Sequence, residues 1–448
     1  MTNLPVVVVG AGPQGLASAA HLLERGLEPL VLEAGDTSAA AVREWAHVRT
    51  FSPWSELVDP AAARLLSASG WTQPDEGYPT GGEWVETYLE PLAAALGDRV
   101  RYGTRVTGLS RRGRDRLVSD GRAEQPFTVH VSTSLHEARL DARAVVDASG
   151  TWTQPSPAGA DGLPALGERA AAEAGLLTYV PPAPEQAAAS AGRHVVVVGS
   201  GHSAMTAVID LAEMARKAPG TRLTWVLRRG VVGDTFGGGA ADELPQRGAL
   251  GVRSKQAVTD GLVDLVTGFR VESVVRDGAG VVLVAEDGRA LPAADQVVVL
   301  TGFRPDLSFL SEMRLDLDPV LQAPRRLADE IDPNLHSCGS VSPHGAAELA
   351  QPEPGLYLVG MKSYGRAPTF LAMTGYEQVR SVAAELAGDH EAAARVELVL
   401  PDTGVCGGAG LFDDPAGASS GGCCAPATPS GRAAEPQLVS IGSLFSRP

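Results

Sequence analysis

The stretch VVVVGAGPQGLASAAHLLERG, which begins at Val6, recurs in outline about 190 residues later as VVVVGSGHSAMTAVIDLAEMA. A β-branched run bounded by glycine reads as a buried parallel strand. Apolar residues at helical spacing behind it (Leu16, Ala20, Leu23) that stop at Gly26 read as a helix with a glycine end. Each copy is followed by a second strand-like run, EPLVLEAG and TRLTWVLRR. Strand, turn, helix and strand twice over predict two dinucleotide-binding domains.

The turns carry the chemistry. In the first, Gly10, Gly12 and Gly15 fit G-x-G-x-x-G around Pro13 and Gln14. Gly10 permits a tight turn, Gly12 a close approach of backbone to pyrophosphate, and Gly15 close packing of helix on strand. The helix N-terminus then offers free N–H groups and the positive end of its dipole. Glu33, 18 residues after Gly15, is placed to accept hydrogen bonds from a ribose diol. The second turn holds Gly199, Gly201 and Ala204 around His202 and Ser203, and the fingerprint admits alanine at its third position. Arg228 and Arg229 stand where an acid would hold an unphosphorylated ribose. Paired guanidinium groups suit a 2′-phosphate, so the second site is expected to take NADPH.

The rest of the chain narrows the class. A net charge of −16 opposes a nucleic-acid or anionic-membrane partner. No apolar run reaches the ~18–20 residues of a membrane span. The N-terminus has no basic leader and enters a strand at once, and the four cysteines (Cys338, Cys406, Cys423, Cys424) form no spaced framework, so a reducing cytoplasm is expected. Helices are expected near 60–69 and 82–96, and short strands in RYGTRVTGLS, PFTVHVS and ARAVVDASGTW. Residues 155–192 read as a Pro/Ala connector, and GDTFGGGAADELPQRGALG as a Gly-rich interruption of the second domain near a substrate pocket. His336 and His344 flank Cys338 at spacings that match no standard zinc pattern, which favours a structural loop.

Two dinucleotide folds, one nested in the other, with TGFRPD at the crossover, resemble the two-dinucleotide flavoproteins, and among them the class B flavin-containing monooxygenases. The resemblance spans about residues 1–390. It implies an α/β protein of two nested Rossmann-like, three-layer domains: FAD binding over 1–155, NADPH binding over 190–302 and a return to the FAD domain over 303–395. Beyond it, Gly, Pro, Ala and Ser dominate without periodicity, so a disordered Gly/Pro/Ser/Cys tail is expected over 396–448. FAD then occupies the first cradle, with Gly302 at the return turn. His47, Arg49, Ser52 and Trp54 lie where the flavin ring is approached, with core packing the competing role for Trp54. REWAHVRTFSPWSELVDP and GMKSYGRAPTFLAMTGYEQV are more similar to flavoproteins of bacterial arsenic-resistance operons. The implied activity is NADPH-driven oxygenation of a small molecule with O₂. A metalloid-binding flavoprotein and an electron-transfer reductase are the alternatives.

The chain departs from that pattern in two places. GLLTYVPPAPEQAAASAGRH replaces the F-x-G-x-x-x-H signature expected before the second cradle. Relatives carry Gly-Asp where this chain has Gly360 and Met361, so N–H groups near Gly360 and a helix opening at Thr369 are expected to replace the carboxylate on the flavin's ribityl chain. Residues 195–302 contain no cysteine, and no cysteine pair follows the first cradle, which argues against a disulfide reductase. In the tail, Cys423 and Cys424 with Cys406 are candidate ligands for a trivalent metalloid, since thiolates select soft ions.

Overall fold

Both valine runs become the central strands of parallel sheets, and the side-chain alternation of each run covers both faces. In a computed structural model, which describes residues 4–230, 233–236, 244–333, 335, 342–368 and 370–398, β1 spans Val6–Val9 and β2 Pro29–Leu32. Val6 and Val8 enter a core with the helix Pro13–Glu24, while Val7 and Val9 enter a second core on the opposite face. Such a strand is apolar throughout because helices or a further sheet cover both its sides.

The first domain continues with β3 (Val100–Arg101), an antiparallel sheet of β4 (Arg105–Arg111), β5 (Phe127–Ser132) and β6 (Glu137–Ala142), and then β7 (Ala144–Asp147). The second domain adds β8 (Leu177–Thr178), β9 (His194–Val198), β10 (Arg222–Val226), β11 (Asp264–Val266), the hairpin β12 (Val271–Asp277) and β13 (Gly280–Ala285), and β14 (Gln296–Val299). The chain then returns with β15 (Leu356–Leu358). The parallel sheets run β15-β7-β1-β2-β3 and β11-β10-β9-β14-β8. One domain is thus inserted in the other, and each cradle strand sits where the strand order reverses, the usual place for a ligand in an open α/β sheet.

Three expectations change. The connector 155–192 is not empty, because β8 pairs with β14 and extends the second sheet, so that domain begins well before residue 190. The Gly-rich interruption resolves after Leu244 into a helix, Pro245–Thr259. Gly251 is there for packing, since a methyl group would lie 1.8 Å from the Phe236 carbonyl oxygen. The last long helix runs Ala372–Leu386 and opens three residues later than expected. Thr369, His336, Cys338, Cys406, Cys423, Cys424 and the tail lie outside the described residues.

The two crossovers lie side by side. Ser156 N–H donates to Gly302 O at 2.8 Å, Arg304 N–H to Gln154 O at 2.8 Å, and Thr301 Oγ1 to Ser156 O at 2.7 Å. The rings of Trp152 and Phe303 stack across the pair at 4.7 Å and 28°. A ribbon, rather than two independent linkers, therefore joins the domains.

Candidate functional site

The first cradle is built as its residue types require. Gly10 has φ +97°, a left-handed value that only glycine adopts freely, and a methyl there would lie 3.0 Å from Ala148 O. A methyl on Gly15 would lie 1.9 Å from Gly10 O, so helix and turn touch through the missing side chain. A methyl on Gly12 would meet nothing within 4 Å. Gly12 is also the N-cap of the helix Pro13–Glu24 and supplies no side-chain cap, so the first-turn N–H groups face an open surface. Glu33 grips the turn with both oxygens, accepting Ala11 N–H and Gly35 N–H at 2.7 Å each. Gln14 is 9% exposed, donates to Ala372 O at 3.0 Å, and leaves its buried Oε1 without a partner. An open glycine face beside an orphaned buried oxygen fits a bound polar group such as a dinucleotide.

The second cradle repeats the geometry. A methyl on Gly199 would lie 2.2 Å from Leu300 O, whereas one on Gly201 would meet nothing within 4 Å. Gly201 caps the helix His202–Lys217 without a side-chain bond; Ser203 is exposed and Ala204 buried on its first turn. The buried Trp225 donates from Nε1 to Gly199 O at 2.7 Å and holds the turn from beneath, a contact the motif does not signal. Beyond β10, Arg228 is exposed and donates to Ala160 O at 3.1 Å, and Arg229 is half-buried with its carbonyl accepting Gly268 N–H at 2.7 Å.

The segment after the first cradle reaches the second. The rings of Phe51 and His202 lie 5.5 Å apart at 55°, which brings Phe51 against the N-terminus of the helix His202–Lys217. His47 Nε2 is buried without a hydrogen-bond partner, and burial holds its imidazole below the ordinary range against the opposing pull of Glu185. Ser52 is buried, and Trp54 is 7% exposed and packs into the first domain's core, which accounts for it without a cofactor. Arg49 is exposed, donates to Tyr78 O and pairs with Glu83 at 3.6 Å.

Gly302 has φ +96° and lies exposed on the crossover ribbon. Gly360 behaves differently from expectation. Its N–H donates to Gln378 Oε1 at 2.7 Å, so that donor is already engaged and does not replace a missing carboxylate. Two residues on, Lys362 is fully buried, 2.6 Å from Asp147 Oδ2, and donates to Ser149 Oγ at 2.9 Å. This pair locks the return segment to the end of β7, next to the first cradle. Its only trace in sequence is a charge at each of two strand ends, AVVD and LYLVGMK. Among the described residues no cluster of His, Cys, Asp and Glu could hold a metal ion, and no helix is long and apolar enough to cross a membrane.

Known proteins agree with this architecture. Residues 7–324 match the family model described as pyridine nucleotide-disulphide oxidoreductase. An indole-3-pyruvate monooxygenase of Oryza sativa subsp. japonica is 30% identical over 219 residues, 47% of this chain and 46% of that protein, so the match spans about half the length of that relative. Among solved structures, the bacillithiol disulfide reductase of Bacillus cereus superposes with a TM-score of 0.63 at 20% identity, covering 86% of this chain and 99% of that one. The ornithine N-hydroxylase of Kutzneria sp. 744, titled as its reduced-FAD, NADP⁺ and L-ornithine form, gives 0.56 at 17% identity over 87% of this chain and 99% of that one. At such identities these structures speak to the fold. With more than half of its length matched by the family model, both glycine cradles included, the chain belongs to the pyridine nucleotide-disulphide oxidoreductase family.

Proposed function

We propose that this protein is an FAD-dependent oxidoreductase that takes hydride from NADPH and uses O₂ to oxygenate a small molecule. One observation carries the reading: two open glycine cradles are joined by the Phe51–His202 contact, while the family-matched residues 7–324 contain no cysteine. That region therefore offers no cysteine pair for disulfide reduction, which favours oxygen over a protein disulfide as electron acceptor. The rice relative, a monooxygenase by name, supports the same direction.

In this reading Gly12 and the N–H groups of the helix Pro13–Glu24 hold the FAD pyrophosphate, and Glu33 the adenosine ribose. The segment His47–Trp54 lies toward the ring. Gly201 and the helix His202–Lys217 hold the second pyrophosphate, and Arg228 with Arg229 the 2′-phosphate. FAD, when bound, supplies the hydride-accepting and oxygen-activating chemistry, and the protein supplies orientation and exclusion of water. No general base is required of the protein for oxygen transfer.

The narrower similarity to arsenic-resistance flavoproteins extends the proposal to a trivalent metalloid as substrate, captured by Cys406, Cys423 and Cys424. A cytoplasmic setting, where these thiols stay reduced, completes it. The protein as purified is expected to be yellow, with one FAD per chain, and to couple NADPH oxidation to O₂ uptake when the right substrate is supplied. A colourless protein that cannot be reconstituted with FAD would end the reading. Arsenite stoichiometry by native mass spectrometry, with and without Cys423→Ser plus Cys424→Ser, tests the metalloid. Unchanged binding in the double variant would remove those two thiols from it.

A further inference from the structure

Behind the first cradle lies a closed hydrogen-bond circuit that neither nucleotide site uses. Gln378 Oε1 accepts Gly360 N–H at 2.7 Å. Gln378 Nε2 lies 2.8 Å from Ser363 Oγ and 2.7 Å from His344 Nε2. Ser363 Oγ donates to Gly360 O at 2.8 Å, and His344 Nδ1 lies 3.1 Å from Ser342 O. Gln378 and Ser363 are fully buried and His344 is 3% exposed, so the bonds made by Gln378 are shielded from water, while Ser342 lies at the surface.

The circuit admits one arrangement of protons. A backbone N–H can only donate, so the Gln378 atom facing Gly360 is oxygen and the amide nitrogen faces the other way. Its two hydrogens go to Ser363 Oγ and to His344 Nε2, which must therefore carry a lone pair. The imidazole proton then sits on Nδ1 and is donated to Ser342 O.

We propose that His344 is a positioning residue for the first dinucleotide site: neutral, it orients Gln378 and through it the Gly360 turn, and protonated, it releases that turn and loosens the cofactor. The proposal rests on reading the first cradle as the FAD site. With a proton on Nε2, an N–H would face the Gln378 amide hydrogens. Turning the amide over would satisfy the imidazolium but set an NH₂ group against Gly360 N–H. No orientation serves both.

The turn is coupled to the cradle by contact. Gly360 has φ +67°, and a methyl on it would lie 2.8 Å from Gln14 Cγ; one on Gly375 would lie 2.4 Å from the Gln14 carboxamide carbon. Gln14, on the first turn of the cradle helix, is thus seated in a notch between two glycines. Displacement of the Gly360 turn opens one wall of that notch.

The surroundings set the pH at which this occurs. Burial dominates and holds the imidazole below its ordinary range. The Ser342 carbonyl and the carboxylates of Glu348 and Glu377 pull the other way, and the Tyr364 ring packs 5.6 Å from the imidazole. Glu377 is itself paired with Arg380 at 2.7 Å. Because the folded-state value is depressed, the contribution of neutral His344 is complete above the ordinary histidine range. It is lost as pH falls toward the depressed value.

The test is hydrogen exchange of the peptide containing Gly360, corrected for the chemical exchange rate, together with FAD retained after gel filtration. Both are measured from pH 8 to pH 5 on the FAD-loaded wild type, His344→Gln and Gln378→Glu. In the wild type, protection and retained FAD should fall together on acidification, protection by about tenfold per pH unit once the imidazole titrates, as one proton requires. In His344→Gln the residue cannot titrate and both curves should be flat. In Gln378→Glu the carboxylate requires a protonated imidazole, so protection should fall as pH rises, the opposite sense. Gly360 protection that ignores pH in the wild type, or that keeps the wild-type pH profile in either variant, would overturn the proposal, and the wild-type curve decides even if a variant does not fold. Protection that follows His344 in a chain binding no FAD would keep the switch at the turn and discard the FAD assignment.

Discussion

Gly12 and Gly15 are both glycines of one motif, yet the structure assigns them different losses on substitution by alanine. A methyl on Gly12 meets nothing within 4 Å, and the backbone there is extended at φ −80°. Gly12→Ala should therefore change the stability of the FAD-free chain by less than about 1 kcal/mol, and the reduced entropy of the unfolded state favours a small gain. A methyl on Gly15 would lie 1.9 Å from the Gly10 carbonyl oxygen and 3.0 Å from its carbon, both backbone. Gly15→Ala must push the helix off the turn, at a cost of about 1–3 kcal/mol, as for other overpacked sites. FAD affinity should behave differently. The Gly12 methyl projects onto the face where a pyrophosphate would meet the helix N–H groups. Loss of two hydrogen bonds to charged oxygens, at ~1.5–3 kcal/mol each, predicts a drop of roughly 10²- to 10⁴-fold. Thermal unfolding of FAD-stripped protein and titration with FAD by flavin fluorescence separate the two quantities. Wild-type FAD affinity in Gly12→Ala, or equal destabilisation of both stripped variants, would refute the reasoning.

Three further outcomes are expected. Arg228→Ala combined with Arg229→Ala should raise KM for NADPH by one to several orders of magnitude, at about 1.5–3 kcal/mol per charged hydrogen bond lost, and leave NADH nearly unchanged; equal efficiency of the wild type with both nucleotides would remove the 2′-phosphate site. Glu353 accepts from Arg111 Nε at 3.1 Å and Arg122 Nε at 2.8 Å, all three side chains being buried, so Glu353→Ala strands two guanidinium groups and should cost about 3–5 kcal/mol in urea denaturation. Burial, helped by Glu213 and opposed by Arg253, pushes the Asp210 carboxyl up to about 6, so the folded state keeps a proton that the unfolded chain loses as pH rises. Stability contributed at that site therefore falls between pH 4 and 6, and Asp210→Asn should raise Tm at pH 7 and not at pH 4.

The cradles were readable because their requirements are local. Valine runs covered on both faces, a glycine forced to φ +97° and a glycine whose methyl would strike the preceding turn all leave their mark within ten residues of chain. What escaped depends on distant partners. β8 is two residues long and exists because β14, over a hundred residues later, offers Leu177 and Thr178 an edge, so no periodicity announces it. The helix Pro245–Thr259 looked like a loop because Gly248 and Gly251 dilute its pattern, although Gly251 is fixed by contact with Phe236. That Gly360 N–H is engaged within the protein could not be read locally, because its acceptor is the side chain of Gln378, nearly two turns into the helix Ala372–Leu386. The Lys362–Asp147 pair is likewise written in two separate segments, and neither half is informative without the other.

The insertion of one sheet inside another also sets an order of assembly during synthesis. The inner parallel sheet has all its strands once Val299 has emerged, whereas the outer sheet lacks β15 until Leu358 follows. Between β7 and its neighbour β15 the ribosome must add roughly two hundred residues, which at ~5–20 residues per second takes ~10–40 s. Throughout that interval β7, an entirely apolar strand apart from Asp147, is an unpaired sheet edge, the feature most prone to capture by other chains. Nascent chains stalled before residue 356 should therefore engage chaperones or aggregate through β7, and release beyond Leu358 should end that exposure.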